Sequence, residues 1–69
     1  MRQKEEGMKS NFLENMVITE NLFGFVATGN VYNDEKKRFE DGKFIRTSPI
    51  VNINSLDRQI ITENTTYNY

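Results

Sequence analysis

Neither cysteine nor histidine occurs anywhere in this chain of 69 residues. Without cysteine there is no disulfide framework and no thiolate chemistry. Without histidine as well, the two commonest zinc ligands are gone, so a zinc-stabilised module is excluded. No apolar stretch is long enough for a signal peptide or a membrane span, which leads us to expect a cytoplasmic chain with no membrane partner. Neither sign of charge dominates either. Ten acidic and nine basic residues leave a net charge of −1, which lacks the basic excess of a general nucleic-acid binder and the strong acidity of a DNA mimic. Any electrostatic partner must be read by a local patch.

A chain of this length makes one domain, which buries only about 60% of the surface its unfolded form exposes. Met1 to Ser10 carry five charges and few apolar side chains, too little burial to offset the entropy of ordering them. Residues 1–10 are therefore expected to be a disordered tail, and 11–69 a single small β domain.

Within that domain the pattern is of short strands. Asn15 to Thr19 are rich in β-formers, and Glu20-Asn21 reads as a turn. Leu22 to Tyr32 form the longest run, interrupted by Gly24 and Gly29, and glycine inside a strand marks a bulge or bend. Asn33 to Arg38 are charged or polar throughout and read as a solvated loop. Phe39 is expected to tuck back under the sheet, and Asp41-Gly42 to turn with positive φ at the glycine. The segment Lys43 to Asn54 alternates so that Ile45, Thr47, Val51 and Ile53 share the core face. Its Pro49, the single proline, cannot donate to a ladder and calls for an edge or a bulge. Ser55 to Arg58 make a turn, and Gln59 to Tyr69 a last strand that includes Asn64-Thr65-Thr66, a glycosylation-type triplet read here as polar strand. The fold class this predicts is all-β, a small curled antiparallel sheet or SH3-like barrel of four to five strands. Its expected core is Val17, Phe25, Val31, Phe39, Ile45, Val51, Ile53 and Ile61.

Scattered carboxylates, Ser48 and three tyrosines, with no histidine to activate them, do not make a catalytic set. We therefore expect a protein that is not an enzyme and needs no cofactor. Lys36, Lys37, Arg38, Lys43 and Arg46 lie close together with Tyr32, Phe39 and Phe44 interleaved, the composition of a single-strand nucleic-acid surface. Asp34, Glu35, Glu40 and Asp41 cancel most of that field. Arg46-Thr47-Ser48 offers a fork of donors and two hydroxyls, a candidate phosphate or carboxylate clamp. Lys36, Lys37, Arg38, Arg46 and Ser48 are the expected partner-binding residues. The partner is expected to be a protein, with nucleic acid or a nucleotide as the alternative. The last strand carries only Glu63 as a charge and ends on tyrosines, so read as a free edge it predicts a homodimer with Thr65, Tyr67 and Tyr69 at the contact.

Gly29-Asn30-Val31-Tyr32, Arg38-Phe39-Glu40-Asp41-Gly42, Ile45-Arg46-Thr47-Ser48-Pro49-Ile50 and Asn64-Thr65-Thr66-Tyr67 resemble blocks found in a group of short phage and prophage proteins, mostly without assigned function. Glu35-Lys36-Lys37 looks like a small insertion relative to that group. The resemblance implies a phage accessory protein that binds a host factor of the bacterial cell and inhibits or redirects it. Inhibitors of bacterial defence, such as anti-CRISPR proteins, are a large class of such proteins. It carries over no catalytic residue.

Overall fold

The computed structural model describes residues 9–69, so the tail expectation for residues 1–8 falls outside the described residues. The domain is all-β. Among the described residues six strands run in chain order: β1 (Phe12–Asn21), β2 (Gly24–Tyr32), β3 (Lys43–Arg46), β4 (Ile50–Asn54), β5 (Gln59–Thr62) and β6 (Thr66–Asn68). They form one unclosed sheet in the order β3-β2-β1-β6-β5-β4. All pairings are antiparallel except β1 with β6, which meet in parallel at Phe12 and Asn68. The sheet is thus mixed, with more strands than expected, because the long segments 43–54 and 59–69 each break in two. β2 and β4 are not neighbours in the sheet, yet they touch, so its two ends curl towards each other.

The first break is at Pro49. Thr47 N–H still donates to Ala27 O on β2 at 2.8 Å, whereas Pro49 O accepts from Glu63 N–H at 3.2 Å. Over three residues the chain leaves one ladder and joins the other. The proline sits where no N–H is required. Thr47 is buried there, accepting from Ala27 N–H and donating to Ser48 O. The second break is at Glu63 to Thr65, where the Thr62 hydroxyl accepts from the N–H groups of Asn64 and Thr65 and donates to Thr65 O. A side chain that satisfies the turn's backbone replaces the continuous polar strand read from Asn64-Thr65-Thr66.

The core is Leu13, Ala27, Val31, Ile45, Ile60 and Tyr67, with Met16, Phe39, Ile50 and Tyr69 packed against it. Val31 and Ile45 are buried and Phe39 packs from the side, as the sequence suggests. Four other expected core residues, Val17, Phe25, Val51 and Ile53, are exposed, and Ile61 is only half-buried while Ile60 takes its place.

For Val17 the cause is a bulge in β1. Glu14 pairs with Asn30 and Val17 with Thr28, so Asn15 and Met16 together stand opposite Gly29. One extra residue reverses the parity of everything after it. Leu13 faces inward, Val17 turns outward and Ile18 takes the inner position opposite Ala27. Asn15 carries the bend at φ 57°, a left-handed conformation that asparagine tolerates better than most residues. Gly29 is required opposite it, since a Cβ there would lie 3.0 Å from Glu14 O. A second bulge, between Ile50 and Asn52 in β4, disturbs the parity of Val51 in the same way.

Candidate functional site

The charged stretch Asn33 to Arg38 is the exposed loop its composition suggests, except at one residue that is folded inward. Asp34 is buried, its side chain 1% exposed. Its carboxylate accepts from the N–H groups of Arg38 and Phe39 and from Arg38 Nε and Nη2, the last at 2.7 Å. These charge-assisted bonds, those from the guanidinium foremost, outweigh burial and hold the Asp34 carboxyl below the usual carboxylate range. Arg38 also donates to the Tyr67 hydroxyl at 3.4 Å and lies over the Phe39 ring, 5.0 Å from its centre. Next to it, buried Asn11 accepts from Glu35 N–H through its side-chain oxygen and takes a left-handed φ of 50°. The tract is a structural clasp that ties the loop to the core.

That organisation redistributes the expected partner-binding residues. Arg38 faces its own protein. Lys36 and Ser48 meet at Asn64: Lys36 Nζ donates to Asn64 O at 3.2 Å, and Asn64 Nδ2 donates to Ser48 Oγ at 2.6 Å. Lys37 is exposed at φ 58°. Arg46 is exposed on the outer face, level with Thr28. Thr47 points inward between Arg46 and Ser48 and is consumed by backbone, so the three residues do not converge as a clamp. The hollow beside the Arg38–Lys43 loop is lined by Arg38 and Lys43 but equally by Glu40 and Asp41, which leaves it without a net sign. Among the described residues, no group of three acidic side chains is placed to hold a metal ion.

The expected dimer contact also moves inside. β6 lies between β1 and β5, and β5 between β6 and β4, so the last strand is not a free edge. Tyr67 is 3% exposed and belongs to the core. Thr65 is half-buried in the turn, and the Tyr69 ring packs on the core with the Arg58 guanidinium 5.0 Å above it. The segment reads as an edge because its parallel return onto β1 leaves no mark in the local sequence.

What stands free is the far end of the β1–β2 hairpin. β6 flanks β1 only at Phe12, and the β2–β3 ladder stops at Thr28 with Arg46. Beyond those points the hairpin runs on as a two-stranded ribbon. Ten residues of β1 span ~33 Å at the usual rise, which is most of the domain's 38 Å long axis. Burial along β2 ends at Val26. The tip turns through Leu22-Phe23 between paired Asn21 and Gly24, with Gly24 at φ 116°. Leu22 is 96% and Phe23 82% exposed, and Phe25, Val17 and Ile18 behind them are also exposed. Asn21 Oδ1 accepts from Phe23 N–H at 2.8 Å and fixes the shape of the turn. The sequence holds only a faint signal for this tip, since Asn21 and Gly24 bracket the turn and do not occupy its two central positions, where a tight hairpin favours such residues. It is hidden because the apolar run Leu22 to Val26 also reads as strand.

The tip is an apolar knob with an aromatic ring, a preformed turn and one nearby charge, Glu20. Such a group cannot activate a nucleophile or hold a metal, but it can fill a pocket on another molecule, as buried aromatic anchors do at interfaces. No membrane-crossing helix is present among the described residues. No protein-family model matches the chain, and neither a curated protein nor a solved structure is significantly similar to it.

Proposed function

We propose that this chain is a non-enzymatic binding protein that inserts the tip of its β1–β2 hairpin into an apolar groove on a partner protein. The observation that carries this reading is the exposure of Leu22 and Phe23 together on a projecting turn. A domain with so small a core does not leave two large apolar side chains fully in water without cost, and exposed apolar patches mark interaction sites. Because Asn21 already fixes the turn, little conformational entropy is lost when the tip docks.

A lipid surface fits the tip less well. Interfacial anchors combine apolar residues with lysine or arginine, whereas the charge beside Leu22 and Phe23 is Glu20. Nucleic acid also fits less well, because Arg38 is spent on Asp34 and the remaining bases do not converge. The resemblance to short phage proteins makes a bacterial host factor the natural partner, and blocking or redirecting it, as inhibitors of defence complexes do, the natural effect.

Capture from bacterial lysate tests the reading, with wild type compared to Leu22→Ser/Phe23→Ser, with and without nuclease. Expected is a protein captured by the wild type, indifferent to nuclease and little weakened by moderate salt, and lost with the double variant. Capture that vanishes with nuclease and falls steeply with salt would transfer the function to nucleic acid. Capture unchanged in the double variant would overturn the tip as the site.

A further inference from the structure

The unclosed sheet has two outer strands, β3 and β4, and they differ in what their free edges could pair with. β3 is Lys43-Phe44-Ile45-Arg46. Antiparallel pairing with the same strand of a second copy would set Lys43 opposite Arg46 twice, and like charges directly opposite destabilise a sheet. β4 is Ile50-Val51-Asn52-Ile53-Asn54, without a charge. Its three central residues are exposed, Val51 by 62% and Ile53 by 46%. An uncovered, neutral, β-branched edge is what folded proteins normally avoid.

The hydrogen-bond pattern shows which way that edge faces. Thr62 N–H donates to Thr65 O and Tyr69 N–H to Arg58 O. The alternation of an antiparallel ladder then turns the backbone groups of Ile60, midway between them, towards β6. Ile53 stands opposite Ile60, so it occupies a non-hydrogen-bonded position and its own N–H and C=O lie on the free side. That N–H is occupied by the neighbouring Asn52 Oδ1 at 2.8 Å, a local bond that an added strand would replace.

We propose that β4 pairs antiparallel with β4 of a second copy of this chain, about a two-fold axis at Ile53, the residue whose backbone groups lie on the free side. In that register Ile53 meets its own counterpart, Asn52 meets Asn54 of the second copy twice, the bulged Val51 lies outside these central pairs, and no like charges oppose. The contact is isologous and closes at two chains. It is independent of the hairpin tip and leaves the tip free. A five-residue edge falls short of the ~800 Å² per partner of a standard interface, so the expected dissociation constant is about 10–100 μM rather than nanomolar.

Sedimentation of the full chain from about 5 to 500 μM is expected to show a reversible monomer–dimer equilibrium. Val51→Lys/Ile53→Lys should weaken it at least tenfold with the far-ultraviolet spectrum unchanged. If that variant does not fold, Asn52→Asp/Asn54→Asp serves in its place: it sets carboxylates opposite each other on both sides of the axis and should weaken the dimer in a way that high salt reverses. Phe44→Lys on β3 and Leu22→Ser/Phe23→Ser at the tip should leave the equilibrium where it is. A monomer throughout the range, a dimer that the β4 variants do not weaken, or one abolished by the tip variant would each overturn the proposal.

Discussion

At its base the β1–β2 hairpin sets Leu13 opposite Val31, and both side chains are fully enclosed. At the other end of the same two strands, Leu22 and Phe23 stand almost wholly in solvent. Composition does not separate the two ends. What differs is what lies alongside: at the base, β3 flanks one side and β6 the other, and the 33–38 loop is clasped on through Asp34 and Arg38. At the tip neither strand continues. A hairpin alone cannot enclose its own apolar face, so burial stops where the neighbours stop. The base is where this chain keeps its stability, and the tip is where it has surface to offer.

The sharpest way to break that contrast is in the core that the base packs into. Ile60→Ala, at a side chain with no exposure, should cost about 2–5 kcal/mol. In a domain this small that is a large share of the total stability, and urea denaturation followed by circular dichroism reads it. Asp34→Ala comes next. It strands two backbone N–H groups and the Arg38 guanidinium, for an expected loss of about 2–4 kcal/mol, kept below the value for a fully buried pair because Arg38 is partly exposed.

The same carboxylate makes stability depend on acid. Its folded pKa lies below the usual 3.8, so the unfolded chain binds the proton more readily. The stabilisation is complete above the unfolded value and is lost as pH falls through the folded one. Thermal midpoints measured from pH 6 downward should therefore begin to fall below about pH 4, and Asp34→Asn should flatten that part of the curve. A smaller effect sits between base and tip. Gly29→Ala puts a Cβ 3.0 Å from Glu14 O, and relaxing the bulge to fit it should cost about 1–3 kcal/mol. At the tip, Leu22→Ser/Phe23→Ser should change stability by less than about 0.5 kcal/mol while removing partner capture. A loss comparable to that of Ile60→Ala would mean that the tip belongs to the core after all.

How far the sequence carries can be followed residue by residue. Phe25 shares the inner parity of Ala27, Gly29 and Val31, and pattern reading places it correctly on that face. It is exposed because the face extends beyond its cover, and no local pattern records where a neighbouring strand ends. Val17 fails for another reason: the bulge at Asn15-Met16 shifts the count by one. Gly29 announces an irregularity at that level, but it lies on the partner strand and cannot say which residue of β1 is the extra one. Arg38 looks like a ligand-binding base until Asp34, four residues away, is seen folded beneath it.

The sequence by itself determined the all-β class, the turn at Gly42 with its positive φ of 89°, the interruption at Pro49, and the burial of Val31 and Ile45. These follow from steric limits on single residues and from the two-residue period of a strand, both of which are local. The parallel return of β6 onto β1, the burial of Tyr67, the exposure of the hairpin tip and the bare edge of β4 were decided only by the tertiary structure. Each depends on which strand comes to lie beside which. That choice is set by the summed burial of residues far apart in the chain, and no short stretch of this sequence contains it.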